Sequence, residues 1–362
     1  MNSPKTGMEM NLEDFTVVKV LGSGHFSTIY ETICTKSRFK GEKYALKRYF
    51  LTDRLSIEEI LHERNILVRL ASGNSNSPFV TSLFWAFGGW MNPCCVCTLG
   101  SEYDLSHVVE AFGHLKEEDA RFYIAEIMCG LEYIHEKDIV HRDIKLENVL
   151  LSETGHVIIT DFDLSYDCHG NNPGGLAAPF AGTQGYMAPE IANNTVVTNK
   201  ADIWSLGALV VHLVLPNFHL TNAGELEHFQ MAKEGTQETS NAAFLSTELM
   251  DFIKTCLRPI YTERPEVLKL KALSFFNSIN WKVVSDCQME PPFRMSQIRS
   301  SRINMAKGKG PILTSSPTPP LPTDVEDLRD CGFSEEKIQQ LFRDFSFVNP
   351  LCNSQQGRMK SA

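Results

Sequence analysis

The stretch HRDIKLENVLLSETGHVIITDFDLS, residues 141–165, constrains the fold more than any other part of the chain. Its apolar runs are typical of buried β-strands. Yet Asp143 and Asn148 stand five residues apart inside it, and Asp161 ends the apolar run HVIIT. Because polar groups are buried only with partners, the pattern predicts that a loop and a strand end converge on one site.

The side chains in this stretch have the chemistry that phosphoryl transfer needs. Asp143 can accept a proton from a hydroxyl group, and Lys145 can neutralise a phosphoryl group in transfer. The amide oxygen of Asn148 and the carboxylate of Asp161 are oxygen ligands of the kind that Mg²⁺ takes beside nucleotide phosphates. The alternative is a set of unrelated turn residues, which leaves their order and spacing unexplained.

An upstream glycine pair suggests a phosphate-binding turn. In VLGSGHFSTIY, Gly22 and Gly24 lie where one strand turns into the next, and a missing Cβ lets a phosphate approach the backbone. The signal is weak by itself, since glycine is common in hairpin turns and Ser27 stands where the usual pattern has a third glycine.

A lysine and a glutamate downstream of this turn form a predicted ion pair. Lys47 follows the apolar run YAL, so its ammonium group points inward and needs a partner. Glu63 shares a helical stripe with Ile60 and Leu67, which directs its carboxylate toward the sheet. The alternative for Glu63 is a solvated side chain on an amphipathic helix, the commoner fate of a single glutamate.

Composition and charge narrow the class of protein. The 362 residues are 43% hydrophobic and 22% charged, values typical of a globular chain, and the net charge of −10 disfavours nucleic-acid binding. The longest apolar run, SLGALVVHLVLPNF at 205–218, is too short to span a bilayer, so membrane insertion is not expected. The N-terminal residues do not resemble a secretory signal, so we expect reduced thiols and a cytoplasmic or nuclear location.

Three cysteines, Cys94, Cys95 and Cys97, cluster in one apolar segment. No second group of Cys or His stands at the spacing of a zinc motif. We therefore expect a role in an apolar strand rather than metal binding.

The order of the elements predicts an α+β fold with two lobes. Short β-branched runs separated by glycine-rich turns indicate a small, mostly antiparallel lobe, and SIEEILHERNILVRLA adds one helix to it. From Glu117 onward the pattern is mainly helical, beginning with an acidic first turn in EEDARFYIAEIMCGLEYIHE. After Trp281 come a basic stretch, a linker-like TSSPTPPLPT and a final apolar segment.

The ordered motifs resemble the catalytic domain of eukaryotic protein kinases over about residues 15–281. The matching features are Gly22 and Gly24, Lys47, Glu63, HRDIKLEN, DFD, GTQGYMAPE (182–190), DIWSLG (202–207) and ERP (263–265). Lys145, two residues after Asp143, fits the serine/threonine pattern. LSFFNSINW, PPF (291–293) and FRDFSFV resemble the AGC group. SPFVTSLFWAF and LFRDFSFVNP are most similar to the ribosomal S6 kinases, especially the N-terminal kinase domain of the mitogen- and stress-activated kinases.

The resemblance implies a role for each matching position. It implies an N-terminal extension at 1–14, a small lobe at 15–97, a hinge at 98–100, a large lobe at 101–281 and a tail at 282–362 with a hydrophobic motif at 342–347. Asp143 is then the catalytic base, with Lys145 beside it. Residues implied to contact ATP are Leu21, Gly22, Ser23, Gly24, His25, Ile29, Ala45, Lys47, Glu63 and Leu150, and those implied to bind Mg²⁺ are Asn148 and Asp161.

Further roles also come from the resemblance. Glu190 is implied to pair with Arg264, and Asp202 to brace the catalytic loop. Asp104, Glu147 and Thr183 fall at substrate-binding positions, which leads us to expect protein substrates with basic residues near the target Ser or Thr. The alternative for the two acids is an ordinary surface role.

Two positions depart from the family pattern. Asp163 stands where DFG has glycine, and we interpret this as altered backbone flexibility with the chemistry retained. Pro179 replaces the phosphorylatable residue of the activation segment, so we predict no activating phosphate there. Either a fixed acid such as Asp167 then takes the place of the phosphate opposite Arg142, or the loop orders differently.

The last segment has two interpretations. Ile338, Leu341, Phe342 and Phe345 fit one face of a terminal amphipathic helix. The resemblance instead implies that Phe342 and Phe345 fill a pocket in the small lobe and that an upstream kinase phosphorylates Ser346.

The sequence therefore predicts an ATP- and Mg²⁺-dependent serine/threonine kinase. The alternative is a pseudokinase scaffold that binds nucleotide or partner proteins, a hypothesis motivated by Ser27, Asp163, Pro179 and Gly185.

Overall fold

The computed structural model describes residues 9–24, 26–73, 76–89, 91, 93–168, 181–215, 245–307 and 334–353. These residues form two compact units. The first unit draws on residues within 1–76, 81–100 and 311–361, and the second on 77–80 and 101–310. Strands and helices are numbered along the chain.

The first unit is built on a six-stranded sheet in the order β1-β2-β3-β5-β4-β10. Every neighbouring pair is antiparallel. The strands are β1 (Phe15–Ser23), β2 (Ser27–Cys34), β3 (Lys43–Tyr49), β4 (Leu83–Phe87), β5 (Cys94–Cys97) and β10 (Phe347–Val348). All five residues of β4 are buried, which is consistent with its place inside the sheet.

Aromatic rings fill one face of this sheet. Tyr44 and Trp85 pack edge to face, with ring centroids 5.2 Å apart, and Phe15 stacks on Phe87 at 5.9 Å. Met10 is buried in the same cluster. Such pairs add to the stability that burial of their large apolar surface supplies.

Helix α1 (Arg54–Ala71) packs on β4. It begins where the Asp53 side chain accepts a hydrogen bond from the Ser56 backbone N–H at 2.8 Å. This cap satisfies a free N–H group of the first turn. Ile57 and Ile60 are among its buried residues.

The second unit is mainly helical. Its helices are α2 (Leu105–Phe112), α3 (Glu117–Glu136), α4 (Pro189–Ala192), α5 (Lys200–Val214), α6 (Thr247–Cys256), α7 (Val267–Leu270), α8 (Trp281–Ser285) and α9 (Met295–Lys307). Helices α3 and α5 pack together and are buried along most of their length. Among the described residues, no helix is both long enough and apolar enough to cross a membrane.

Two short antiparallel pairs complete this unit. Strand β6 (Ile139–Val140) pairs with β9 (Tyr166–Asp167), and β7 (Val149–Leu151) pairs with β8 (Val157–Ile159). The predicted α+β fold, with a small, mostly antiparallel unit and a larger helical one, is confirmed.

The tail contributes to both units. Helix α9 packs on α2, although the sequence analysis treats this stretch only as basic. The short helices α10 (Glu335–Leu341) and α11 (Pro350–Asn353) flank β10 in the first unit. The domain boundaries drawn from the resemblance stay a prediction.

Candidate active site

Asp143 lies at the centre of a hydrogen-bonded cluster in the second unit. Its Oδ2 accepts hydrogen bonds from Lys145 Nζ at 2.7 Å and from Asn148 Nδ2 at 2.9 Å. Its Oδ1 accepts from the N–H group of Thr183 at 2.9 Å and from its Oγ1 at 2.7 Å. Asp143 is only 3% exposed. These four hydrogen bonds therefore fix the direction of its carboxylate.

Asp202 of α5 binds the backbone of the loop that carries Asp143. Asp202 accepts backbone hydrogen bonds from His141 at 2.9 Å and Arg142 at 2.8 Å, and its Oδ2 lies 2.8 Å from His135 Nε2. Arg142 has a left-handed backbone with φ of 67°. Such a conformation is costly for a residue other than glycine, and the Asp202 contacts stabilise it.

Both carboxylates are poised to stay ionised. Burial by itself raises the pKa of Asp143, but hydrogen bonds from Lys145 and Thr183 outweigh it and lower that pKa below its ordinary value. Burial likewise raises the pKa of Asp202, and the hydrogen bond and charge of His135 lower it overall. Hydrogen bonds to the charged form are the cause in both cases.

The strand pair β7–β8 brings the two predicted metal ligands together. Val149 pairs with Ile159, and the Thr160 N–H donates to the Asn148 carbonyl at 3.0 Å. Asp161 follows directly, half-buried and with φ of 69°. The Asn148 Nδ2 group donates to Asp143, so its amide oxygen is the atom offered to a cation. One amide oxygen just before β7 and one carboxylate just after β8 fit the oxygen ligands that Mg²⁺ prefers.

Asp163 does not use the backbone conformation for which glycine is normally needed. Its side chain is exposed, and the left-handed residues in this region are Arg142 and Asp161. In this conformation, Asp163 therefore has no left-handed strain. Phe162 before it is fully buried against His141, with ring centroids 4.7 Å apart.

In the first unit, the predicted ion pair between β3 and α1 is present. Lys47 Nζ donates to both carboxylate oxygens of Glu63, at 2.6 and 2.8 Å. Tyr49, two residues after Lys47 on β3, adds a hydrogen bond from its hydroxyl to Glu63 Oε2 at 3.0 Å. Glu63 is 5% exposed, so it is not the solvated side chain of the alternative interpretation.

The glycine-rich turn joins β1 to β2. Gly22 pairs with Ile29 and Ser23 with Thr28 across the two strands, and the Gly24 N–H donates to the Ser27 carbonyl at 2.8 Å. A Cβ built on Gly22 meets nothing within 4 Å, which leaves its backbone open to a ligand. His25 lies outside the described residues.

The remaining predicted nucleotide contacts are strand residues. Ile29 and Lys47 are register partners, and so are Ala45 and Cys97. Leu21 is 36% exposed at the end of β1. Leu150, on β7 of the second unit, is half-buried.

The three predicted substrate residues have different environments. Asp104 caps α2, accepting from Ser106 Oγ at 2.5 Å and from the His107 N–H at 3.1 Å. Burial raises its pKa, with a partly opposing effect from these hydrogen bonds and from Arg302. Glu147 is exposed, and Thr183 contacts Asp143 directly.

Close approach of the GTQGYMAPE segment to the catalytic loop depends on Gly182. A Cβ at this glycine would lie 2.7 Å from the Arg142 carbonyl oxygen, and its φ is 125°. Both restrictions exclude a side chain at this position. Pro179, and with it the predicted lack of an activating phosphate, lies outside the described residues.

Arg142 is directed toward the segment after the DFD motif. Its Nε donates to the Leu164 carbonyl at 2.5 Å and its guanidinium lies 5.7 Å from the centre of the Tyr166 ring. Burial lowers its pKa, and the charges of Asp202, Tyr166 and Asp163 oppose that effect. Asp163 is thus an acid close enough to act on Arg142. The expectation that Asp167 faces Arg142 stays a prediction.

A buried ion pair ties α4 to the segment before α7, as the resemblance implies. Arg264 donates to both oxygens of Glu190 at 2.7 Å. Its remaining donors reach the carbonyls of Lys200, Arg258 and Pro259. Because every branch of the guanidinium is bonded, the buried charge is fully compensated.

The tail segment docks on the sheet of the first unit. Helix α10 ends at Leu341, and Phe342 and Phe345 after it are buried. Strand β10 then pairs with β4, placing Phe347 opposite Ala86. The single amphipathic helix is therefore too simple an interpretation of this segment.

Arg64 of α1 secures the docked segment. Its guanidinium donates to the carbonyls of Asp344 at 2.5 Å and Phe345 at 3.0 Å, and lies 5.8 Å from the centre of the Phe345 ring. Ser346 is exposed. Arg64, like Tyr49 and His135, was missed by the sequence analysis, because its partners are distant in sequence. The position of Arg64 beside Glu63 was the one available signal.

Comparison with known proteins agrees with this geometry. Residues 15–276 match the family model described as "Protein kinase domain". Protein kinase C delta type of Homo sapiens is 30% identical over 350 residues, which cover 94% of this chain and 48% of that protein. Protein kinase 3 of Dictyostelium discoideum is 30% identical over 299 residues, covering 79% of this chain and 32% of that protein.

RAC-beta serine/threonine-protein kinase B of Xenopus laevis is 30% identical over 294 residues, covering 79% of this chain and 58% of that protein. The chain therefore spans less than two thirds of the length of each of these relatives. The closer resemblance to ribosomal S6 kinases stays a prediction. The family model and these relatives together show that the chain belongs to the protein kinase family, among the serine/threonine kinases of the AGC group.

Proposed function

We propose that this chain transfers the γ-phosphoryl group of MgATP to serine or threonine hydroxyls of proteins. The observation that carries the proposal is the Asp143 carboxylate, buried, ionised and oriented by Lys145, Asn148 and Thr183. A carboxylate held in this way can accept a hydrogen bond, and then the proton, from an attacking hydroxyl.

Asp143 and Lys145 then have separate roles in an in-line transfer. The hydroxyl oxygen forms the new bond to phosphorus, the bond from phosphorus to the bridging oxygen of ADP breaks, and the hydroxyl proton passes to Asp143. Lys145 lies 2.7 Å from Asp143 and places its positive charge where charge on the phosphoryl group develops.

Other residues serve the nucleotide and its metal ion. Lys47, fixed by Glu63 and Tyr49, offers its ammonium group to phosphate oxygens. Asn148 and Asp161 would hold Mg²⁺, which when bound neutralises charge on the phosphates.

The test is transfer of labelled phosphate from ATP to a basic peptide, with wild type and Asp143→Asn compared in the presence of Mg²⁺. The variant keeps the shape of the side chain but removes the proton acceptor. We expect its kcat to fall by about 10²–10⁴-fold. Asp251→Asn, at an exposed position on α6, is the matched control and should leave transfer unchanged.

The rival function is a pseudokinase that binds nucleotide without transferring phosphate. Equal transfer by wild type and Asp143→Asn, or no transfer by a wild type that ATP stabilises against heat, would favour the rival. The geometry at Asp163, which has no left-handed strain, removes one of the motives for that rival.

We further propose that substrates carry basic residues near the target hydroxyl and that Glu147 recognises them. Glu147 is exposed, whereas Oδ1 of Asp104 accepts the hydrogen bonds that cap α2. The charge of Arg302 also acts on the Asp104 carboxylate. An exposed carboxylate can pair with an incoming arginine without a change in the fold.

The expected result for Glu147→Gln is a rise in KM for an arginine-containing peptide of about 5–30-fold, a loss typical of one charged contact. A matched peptide with citrulline in place of arginine should show no difference between the two proteins. A KM that rises equally for both peptides would mean that Glu147 does not recognise the basic residue.

A further inference from the structure

Three side chains with zinc-ligand chemistry converge in the second unit, outside the groups that surround Asp143. They are Glu126, His156 and Cys287, and one potential ligand atom from each lies within 4.8 Å of those of the other two. Glu126 and His156 are buried and Cys287 is half-buried. No other group of three or more such residues occurs in the part of the chain that the structure describes.

Rigid elements hold the first two members in place. Glu126 lies in the middle of α3 and is 0% exposed, and its Oε2 accepts a hydrogen bond from the Val157 N–H at 3.0 Å. Its Oε1 lies 2.6 Å from His156 Nδ1. His156 directly precedes β8, and its backbone N–H donates to Ser152 Oγ at 3.1 Å.

The third member comes from the chain after α8. Cys287 has a left-handed backbone, with φ of 56°, and its N–H donates to the Val284 carbonyl at 2.8 Å. A cysteine is strained in this conformation, and the strain must be offset by its surroundings. The turn brings its thiol to the Glu126–His156 pair, a position that sequence spacing gives no sign of.

The donor set suits one class of ion. Thiolate sulfur, imidazole nitrogen and carboxylate oxygen are the three ligand types of protein zinc sites, whereas the hard ions Mg²⁺ and Ca²⁺ prefer oxygen alone. A carboxylate and a thiolate together also balance the charge of a divalent cation, which matters at a buried position.

The distances allow such an ion after small side-chain movements. Zinc–ligand bonds of about 2.0–2.3 Å in tetrahedral geometry place ligand atoms about 3.3–3.8 Å apart. The 2.6 Å between Glu126 Oε1 and His156 Nδ1 is shorter than this spacing, and the limit of 4.8 Å for the cluster is longer. A metal ion therefore requires a longer Glu126–His156 separation than the present hydrogen bond.

We propose that Glu126, His156 and Cys287 form a zinc site, with water as the fourth ligand on the half-exposed side of Cys287. Such a site cross-links α3 and the β7–β8 turn to the segment that leads into the tail. That segment already packs closely here, since a Cβ at Gly155 would lie 3.0 Å from Pro291, and Phe293 stacks on Phe112 at 4.3 Å.

The experiment titrates Zn²⁺, and separately Co²⁺, into the full chain after removal of metal by a chelator. We expect one tightly bound zinc ion, a higher thermal midpoint, and a thiolate-to-cobalt charge-transfer band. In Cys287→Ser the band should vanish and the zinc affinity should fall by at least about tenfold. Cys168→Ser, which changes an exposed cysteine of the same unit, should behave as wild type.

A second measurement uses the unaltered protein, so it does not depend on how well a variant folds. Bound zinc should slow the alkylation of Cys287, followed by mass spectrometry, without slowing that of Cys168. Zinc binding that is identical in Cys287→Ser and wild type, or Cys287 alkylation unaffected by zinc, would overturn the proposal. Neither readout requires phosphoryl transfer, so the result is independent of the proposed function.

Discussion

At the scale of single residues, Asp202 is the buried charge on which the catalytic loop depends. Its carboxylate is fully buried and binds two backbone N–H groups and the His135 ring. Because these donors satisfy the ionised form, Asp202 stabilises the loop only while it is ionised. The pH dependence of stability should show this directly.

We expect Asp202→Asn to lose roughly 1.5–3 kcal/mol of unfolding free energy at pH 7. The native pKa of Asp202 lies below its ordinary value of 3.8, so its contribution is fully present above that value and is lost as pH falls through the native pKa. The titratable groups that face Asp202 are His135 and His141. Urea unfolding from pH 7 to 3 should show the two proteins converging below about pH 4. A constant difference across this range would contradict the assignment.

Asp163 stands where the kinase motif has glycine. An aspartate in place of glycine suggests strain when only the sequence is considered, yet the left-handed residues here are Asp161 and Arg142. The charge of Asp163 also acts on Arg142, whose guanidinium contacts Leu164 and Tyr166. Asp163 therefore supplies negative charge near Arg142.

At the scale of elements, the docked tail extends the sheet of the first unit by one strand. β10 pairs with β4, Phe345 is 1% exposed, and Asn349 adds hydrogen bonds to the carbonyls of Leu83 and Phe84. Arg64 connects this segment to α1, the helix that also carries Glu63. We propose that the docked segment stabilises the position of α1. We also propose that phosphorylation of the exposed Ser346 regulates this stabilisation.

The expected effect of Phe345→Ala is release of the tail from the sheet, because a buried phenylalanine contributes about 3–5 kcal/mol. Hydrogen exchange should become faster at the backbone amides of β10 and at Asn349, and peptide phosphorylation should slow. Arg343→Ala changes an exposed neighbour and serves as the control. Unchanged exchange at β10 in Phe345→Ala would show that the ring does not hold the strand.

At the scale of the whole molecule, motif order along the chain was enough to predict a small antiparallel unit followed by a larger helical one. Lys47 and Glu63 could be paired from the sequence because a strand and a helix have fixed side-chain periods, so each residue's face is known. Asp143, Asn148 and Asp161 could be grouped because they lie within 19 residues of one another and share the chemistry that phosphoryl transfer needs. Patterns over short stretches of the chain were therefore enough to group these residues.

Strand and helix periodicity could not predict contacts between residues far apart in the chain. His135 and Asp202 are 67 positions apart, Arg64 and Phe345 are 281 apart, and the α9 helix was not predicted at all. Such contacts depend on how whole elements pack, and helical or strand periodicity carries no information about which surfaces meet.

The sequence by itself determined the order of a strand-rich part and a helical part, the likeness to protein kinases and the residues with phosphoryl-transfer chemistry, because each follows from local patterns and their order. Only the tertiary structure decided that the His135 ring contacts Asp202, that Asp104 caps a helix while Glu147 is exposed, and that Cys287 meets Glu126 and His156. The physical reason is that burial and hydrogen-bond partners are properties of the packed chain, set by elements that meet only after folding.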